Sequence, residues 1–153
     1  MIFENLEFRI LQEGDFNAVW NLILAEYITR EPCCVALDLD EEKISTVYLN
    51  LAKNSISHQA SLGAFDKQTK ELIGINLTLL AKKRDSIPDI DLSQLPKEMQ
   101  QYGMMLTTLS GEENLVAPEK FMGTKNYMQS TMLCSKTGVT RVLEQSYTRG
   151  RKK

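Results

Sequence analysis

The chain of 153 residues holds one histidine, one tryptophan, three cysteines, four prolines and eight glycines. The single histidine, His58, has no cysteine or carboxylate beside it at ligand spacing, so it offers no metal motif and reads as a local hydrogen-bonding residue. Cys33 and Cys34 are adjacent, and Cys134 is far from both. Adjacent cysteines without a second pair match no zinc spacing, and an odd count argues against a disulfide framework. Reduced thiols in a cytoplasmic protein are the expectation, packing rather than attacking, with Cys134 in the core. No window approaches the ~20 apolar residues of a membrane span. The opening MIFENLEFRI is acidic and lacks the apolar run of a secretory signal. Low-complexity tracts and internal repeats are absent. The formal net charge of -2 leaves no basic field to attract nucleic acid, and the basic tail Arg149–Lys153 reads as a solvated terminus.

What remains is an ordinary globular composition, 42% hydrophobic and 25% charged, at a length suited to one domain over residues 1–153. The chain is organised around Gln59–Ala81. Leu62, Ala64 and Phe65 form one arm, Asp66–Glu71 a polar turn, and the alternating run Leu72–Leu80 the other, which together predict a β-hairpin.

Taken in order, Leu6–Leu11 alternates as a first strand, broken by Gln12–Asp15. Asp15 is a candidate N-cap for an amphipathic helix in which Val19, Trp20, Leu22, Ile23, Tyr27 and Ile28 recur, ending near Thr29. Pro32 disfavours helical geometry at Glu31, making Arg30–Pro32 a junction, and Cys33–Leu39 reads as a short apolar connection. Asp40 can cap a second helix over Glu41 to about Lys53, carrying Ile44, Val47, Tyr48 and Leu51 on one face. After the hairpin, Ser86–Gln94 reads as a loop, Pro96 can open a helix through Met99 and Tyr102, and Leu106–Pro118 is ambiguous. Phe121–Thr124 reads as a turn, Tyr127–Cys134 as a strand, Ser135–Gly138 as a tight loop, and Val139, Val142 and Leu143 as a short helix. The methionines from Met99 to Met132 form no helical stripe and read as adaptable core or as an interface. The order predicts an α+β fold, a mixed and largely antiparallel sheet with flanking helices.

This order and three segments resemble the Gcn5-related N-acetyltransferase superfamily, and within it the arylalkylamine N-acetyltransferase-like branch of invertebrates. Phe8–Phe16 looks like the superfamily's first strand and turn. Arg30–Leu37 is similar to the branch's acidic-Glu-Pro-Leu segment between the first two helices. Glu71-Leu72-Ile73-Gly74 is similar to the strand pair that carries a glycine after two aliphatics. The resemblance covers about residues 3–82 and continues more weakly beyond. It implies acetyl-CoA as co-substrate, held at a Gln/Arg-x-x-Gly-x-Gly/Ala loop whose backbone N–H groups take the pyrophosphate. Ser135-Lys136-Thr137-Gly138-Val139-Thr140 is the candidate loop, with Ser135 in place of Arg or Gln and Thr140 in place of a small residue. Tyr147–Arg151 resembles an aromatic-x-Arg-Gly version at the chain end. The strands and helix that ordinarily follow such a loop are missing, so the expectation is the front portion of an acetyltransferase, truncated after the loop.

The resemblance makes Glu31 the general base, and places the oxyanion donor at a backbone N–H near Leu133–Cys134. Lys136, Gly138, Val139 and Thr140 would contact the cofactor. Without the resemblance, Glu31 is an exposed junction residue and Lys136 a solvated lysine. Two functions are therefore carried forward. One is an acetyl-CoA-dependent N-acetyltransferase of a small primary amine, an arylalkylamine or a polyamine. The other is a non-catalytic truncated paralogue, acting as a binding or regulatory fragment through homo- or hetero-association at an open sheet edge.

Overall fold

The structure is a computed structural model, which describes residues 2–81, 91–110 and 127–138. Strand β1 (Leu6–Ile10) leads through a 3-10 turn into helix α1 (Phe16–Leu22), whose last turn widens into a π-helix over Ile23–Tyr27. Helix α2 (Pro32–Ala36) and helix α3 (Glu41–Ser57) follow, then strands β2 (Leu62–Asp66) and β3 (Leu72–Ala81), helix α4 (Lys97–Ser110) and strand β4 (Tyr127–Ser135). The strands form one antiparallel sheet in the order β1-β2-β3-β4. The fold is α+β, as the sequence predicts.

The alternation of the hairpin sets the register. Arg9, Gly63, Ile75 and Cys134 pair across the sheet on the face packed by α1 and α3. Phe65, Leu77 and Met132 extend that face. From the helices come Val19, Leu22 and Ile23, and Ile44, Tyr48, Ala52 and Ile56, all buried. Each large aliphatic side chain removed from water here contributes about 1.5–3 kcal/mol. Gly63 is required by this packing. A Cβ there would lie 2.6 Å from Leu11 Cδ2 and 2.7 Å from Phe65 Cε2. The opposite face presents Phe8, Ile10, Leu62 and Leu133, all exposed.

Asp40 caps α3 as expected, accepting from the Lys43 N–H at 3.0 Å, with Glu41 and Glu42 favourably placed in the first turn. The helix runs four residues past Lys53, because Ser55 and Ile56 are buried and that packing outweighs the weak helix preference of Asn54 and Ser55. Asp15 does not cap α1. Its carboxylate instead accepts from Arg9 Nη1 and Nη2, each at 2.7 Å, and from the Gln12 N–H at 2.8 Å. Cys33–Leu39 is not a plain connection: Pro32 sits at the first position of α2, where its missing N–H costs nothing. Leu106–Ser110, part of the ambiguous stretch, completes α4. The expected turn at Phe121–Thr124 and the helix from Val139 lie outside the described residues, as does the basic tail. His58 ends α3 and its Nδ1 accepts from the Leu80 N–H at 3.1 Å, the local role expected of it. No helix among the described residues is long and apolar enough to cross a membrane.

Candidate active site

Pro32 pushes the residue before it out of helical geometry, and Glu31 accordingly lies extended at φ -66, ψ 121 as the N-cap of α2. Its Oε2 accepts from the Cys34 N–H at 2.6 Å. Its own N–H donates to the Tyr27 carbonyl at 2.8 Å. Glu31 is thus anchored at a cleft of about 430 Å³, which it lines with Glu26, Tyr27, Arg30, Leu133, Cys134 and Ser135. Three residues singled out from the sequence, Glu31, Leu133 and Cys134, meet there although a hundred positions separate the glutamate from the strand. Leu133 and Cys134 stand opposite Asn76 and Ile75 on β3, just beyond a β-bulge at Leu77/Thr78. Within that bulge the Thr131 hydroxyl donates to the Leu77 carbonyl at 3.1 Å.

Behind Glu31 sits a cluster of tyrosines. The Tyr27 and Tyr48 rings lie 5.9 Å apart, tilted by 55°, with Tyr102 of α4 beside them. Burial raises all three hydroxyls above their ordinary value, and the Glu31 charge adds to it for Tyr27 and Tyr102. They remain neutral hydrogen-bonding groups at any working pH. The thiols behave likewise. Burial pushes Cys34 up to about 12 and Cys134 up to about 11. Cys33 is raised by desolvation and then by the neighbouring Glu31 carboxylate. Raised thiols are poor nucleophiles, in keeping with the packing role expected for them, and all three are free of disulfides.

The loop leaving β4 is tied on both sides. The Lys136 N–H donates to the Ile73 carbonyl at 2.8 Å, and its ammonium pairs with Glu71. Glu26 Oε2 accepts from the Thr137 N–H at 2.9 Å and from the Thr137 hydroxyl at 2.5 Å. Arg30 Nη1 donates to Glu26 at 3.2 Å, to the Ser135 carbonyl at 3.2 Å and to the Thr137 hydroxyl at 3.4 Å. These donors, the Thr137 hydroxyl foremost, hold the Glu26 carboxyl below its ordinary value. Gly138 adopts φ +96, a left-handed conformation open to glycine, with open space where a side chain would point. Val139 and Thr140 lie outside the described residues. Sequence reasoning missed Glu26 and Arg30, which the widened π turn delivers to the cleft, and Tyr27 and Tyr102 behind it. No group of three or more metal-ligating side chains occurs among the described residues.

No family model matches the chain, and no curated protein matches it. Solved structures do. A putative arylalkylamine N-acetyltransferase 7 from the mosquito Aedes aegypti superposes with a TM-score of 0.68 at 18% identity, over 86% of this chain and 54% of that one. The C-terminal condensation domain of Ebony, in complex with β-alanyl-dopamine, gives 0.68 at 15% identity over 94% and 68%. A Drosophila melanogaster polyamine N-acetyltransferase, described as forming N-acetylagmatine, gives 0.59 at 17% identity over 95% and 70%. The chain thus spans little more than half the length of the first of these proteins and about two thirds of the others. At such identities the likeness establishes a shared fold, that of the N-acetyltransferases.

Proposed function

We propose that this chain is an acetyl-CoA-dependent N-acetyltransferase of a small primary amine, an arylalkylamine or a polyamine. The observation that carries the reading is the cleft that sets the Glu31 carboxylate against Leu133, Cys134 and Ser135 at the head of the candidate cofactor loop. The fold shared with arylalkylamine and polyamine N-acetyltransferases supports it.

Each residue has a role in this reading. Glu31 is the general base. An amine is protonated at neutral pH and cannot attack until it gives up a proton. A carboxylate engaged at one oxygen retains acceptor capacity to take that proton directly or through a water. The amine nitrogen then attacks the thioester carbonyl carbon, a C–N bond forms, the C–S bond breaks, and the second proton lost by the nitrogen passes to the departing coenzyme thiolate. A backbone N–H at Leu133–Cys134 faces the oxyanion in the same cleft. Gly138, Val139 and Thr140, with Lys136, take the pyrophosphate. For Gly138 the fit is favourable, since its left-handed backbone and open surroundings let a phosphate approach. For Lys136 it is poorer, since its ammonium is engaged by Glu71.

That engagement, with the tether of Thr137 to Glu26, favours a second reading in which the chain is a non-catalytic fragment that binds a partner through a sheet edge left open among the described residues. Calorimetric titration with acetyl-CoA, followed by coenzyme A release in the presence of tyramine, tryptamine or agmatine, separates the two. Micromolar binding and amine-dependent release are expected. A cooperatively folded sample that takes up no acetyl-CoA would leave only the second.

A further inference from the structure

We infer that Thr137 and Arg30 form an anion site for a phosphate group of the acyl donor, and that the chain's own Glu26 carboxylate fills it. Three donors converge on one oxygen: the Thr137 N–H at 2.9 Å, the Thr137 hydroxyl at 2.5 Å and Arg30 Nη1 at 3.2 Å. A backbone N–H, a hydroxyl and a guanidinium aimed at one point are the groups by which proteins hold phosphate oxygens. Here an internal carboxylate stands in for the ligand. The inference rests on the acyl-donor reading of the Ser135–Gly138 loop and adds to it a reason for weak donor binding.

The surroundings favour displacement over a purely structural tether. Glu26 comes from the π turn and not from the loop, so its release leaves the loop's bond between the Lys136 N–H and the Ile73 carbonyl intact. Arg30 is 45% exposed and can follow an incoming phosphate. The charges facing Glu26 are few. Arg30 bonds it, Glu31 lines the same cleft, Cys134 is a neutral thiol, and Lys136 is engaged by Glu71 just before β3. The carboxyl is held below its ordinary value, so it is ionised at working pH, where it both occupies the donors and repels a polyanion.

The test is calorimetry on the full chain and on Glu26→Gln, with coenzyme A and with inorganic pyrophosphate as probes, at low and at high salt. Glutamine keeps the shape but removes the charge and weakens the acceptor. The expected result is about tenfold tighter binding of both probes by Glu26→Gln at low salt, the effect of relieving one near charge. That gain should shrink at high salt. If the native chain binds coenzyme A and Glu26→Gln binds it equally or more weakly, Glu26 only orders the loop; the inference falls and the acyltransferase reading stands. If neither form binds coenzyme A, both fall. Should Glu26→Gln fail to fold, the amide NMR spectrum of the native chain decides. A Thr137 amide that shifts as coenzyme A saturates supports displacement, and one that stays in place overturns it.

Discussion

Replacing Glu31 with glutamine and with alanine separates the chemistry assigned to it from its structural duty. The duty is visible: Oε2 accepts the Cys34 N–H at 2.6 Å and so caps a helix of five residues. Glutamine retains an oxygen that can accept that bond. It gives up only the favourable charge at the helix N-terminus, about 0.3–1 kcal/mol. Alanine gives up the cap as well, about 1 kcal/mol within a range of about 0.5–2. For a chain of this size each 1 kcal/mol lowers Tm by about 2–4 °C. Both variants should therefore fold, with alanine melting the lower. If Glu31 takes the proton from the amine, both should lose about 10²–10⁴ in kcat/KM at neutral pH, the usual contribution of a general base. The losses should be similar although the melting temperatures differ. Raising the pH until the amine is mostly unprotonated should narrow the deficit, because the proton no longer has to be removed. The assay is coenzyme A release at varied amine and varied pH, with a melt on each sample. Equal kcat/KM for the native chain and Glu31→Gln at neutral pH would remove Glu31 from the chemistry and leave it a helix cap.

Two buried serines should respond in opposite ways. Ser61 donates to the Ser55 carbonyl at 2.9 Å and accepts the Thr78 N–H at 3.0 Å, so Ser61→Ala strands both and should cost about 1–3 kcal/mol in denaturant unfolding. The Ser55 hydroxyl is buried without a partner among the described residues, so Ser55→Ala should be neutral or raise the denaturation midpoint, and a clear loss would show that the hydroxyl has a partner after all. Leu77 is fully buried, and Leu77→Ala should cost about 2–5 kcal/mol, read from the same curves. Asp15 is held below the ordinary carboxylate value of 3.8, first by its hydrogen bond from Arg9. Its contribution is therefore complete above that ordinary value and is lost as the pH falls through the lower folded value. Asp15→Asn should lower stability at neutral pH and flatten the acid limb of the stability curve; unchanged acid sensitivity would show the pair to be screened by solvent.

The hairpin was legible because its two rules, alternation and a polar turn, are local. Leu72–Ala81 is one strand, and the turn at Asp66 is held by its own carboxylate, which accepts the Gln68 and Thr69 N–H groups at 2.8 Å. The Asp40 cap was legible for the same reason. Two things were not. Asp15 matched a cap by type and position, but Arg9 lies close enough in space to claim its carboxylate with two charged bonds, and no local rule reports a partner on a neighbouring strand. The other is the helix start that spans the expected junction Arg30–Pro32 and the expected connection Cys33–Leu39, with Pro32 at the first helical position behind Glu31. Of the candidate site, the sequence supplied Glu31 and the Leu133–Cys134 strand through the resemblance, and spacing alone could not have joined them.

The residues missed at the cleft trace to one departure from regular helix geometry. Counting from Val19 at helical spacing gives Leu22, Ile23, Glu26 and Arg30, so a continuous α-helix would turn two charges toward the core and place Ile28 on the opposite side. The charges interrupting an otherwise apolar stripe were the signal available in the sequence. The π turn over Ile23–Tyr27, closed by the Ile28 N–H to the Ile23 carbonyl at 3.1 Å, inserts one extra residue into the spiral. Ile28 then returns to the core, while Glu26 and Arg30 swing out to meet the loop that leaves β4. Glu31 follows directly on the same segment. A single widened turn thus sets the positions of both the Glu31 carboxylate at the cleft and the Glu26 carboxylate that holds the loop leaving β4. Geometry at that turn, more than the identity of any one residue around the cleft, governs how the two halves of the proposed reaction are brought together.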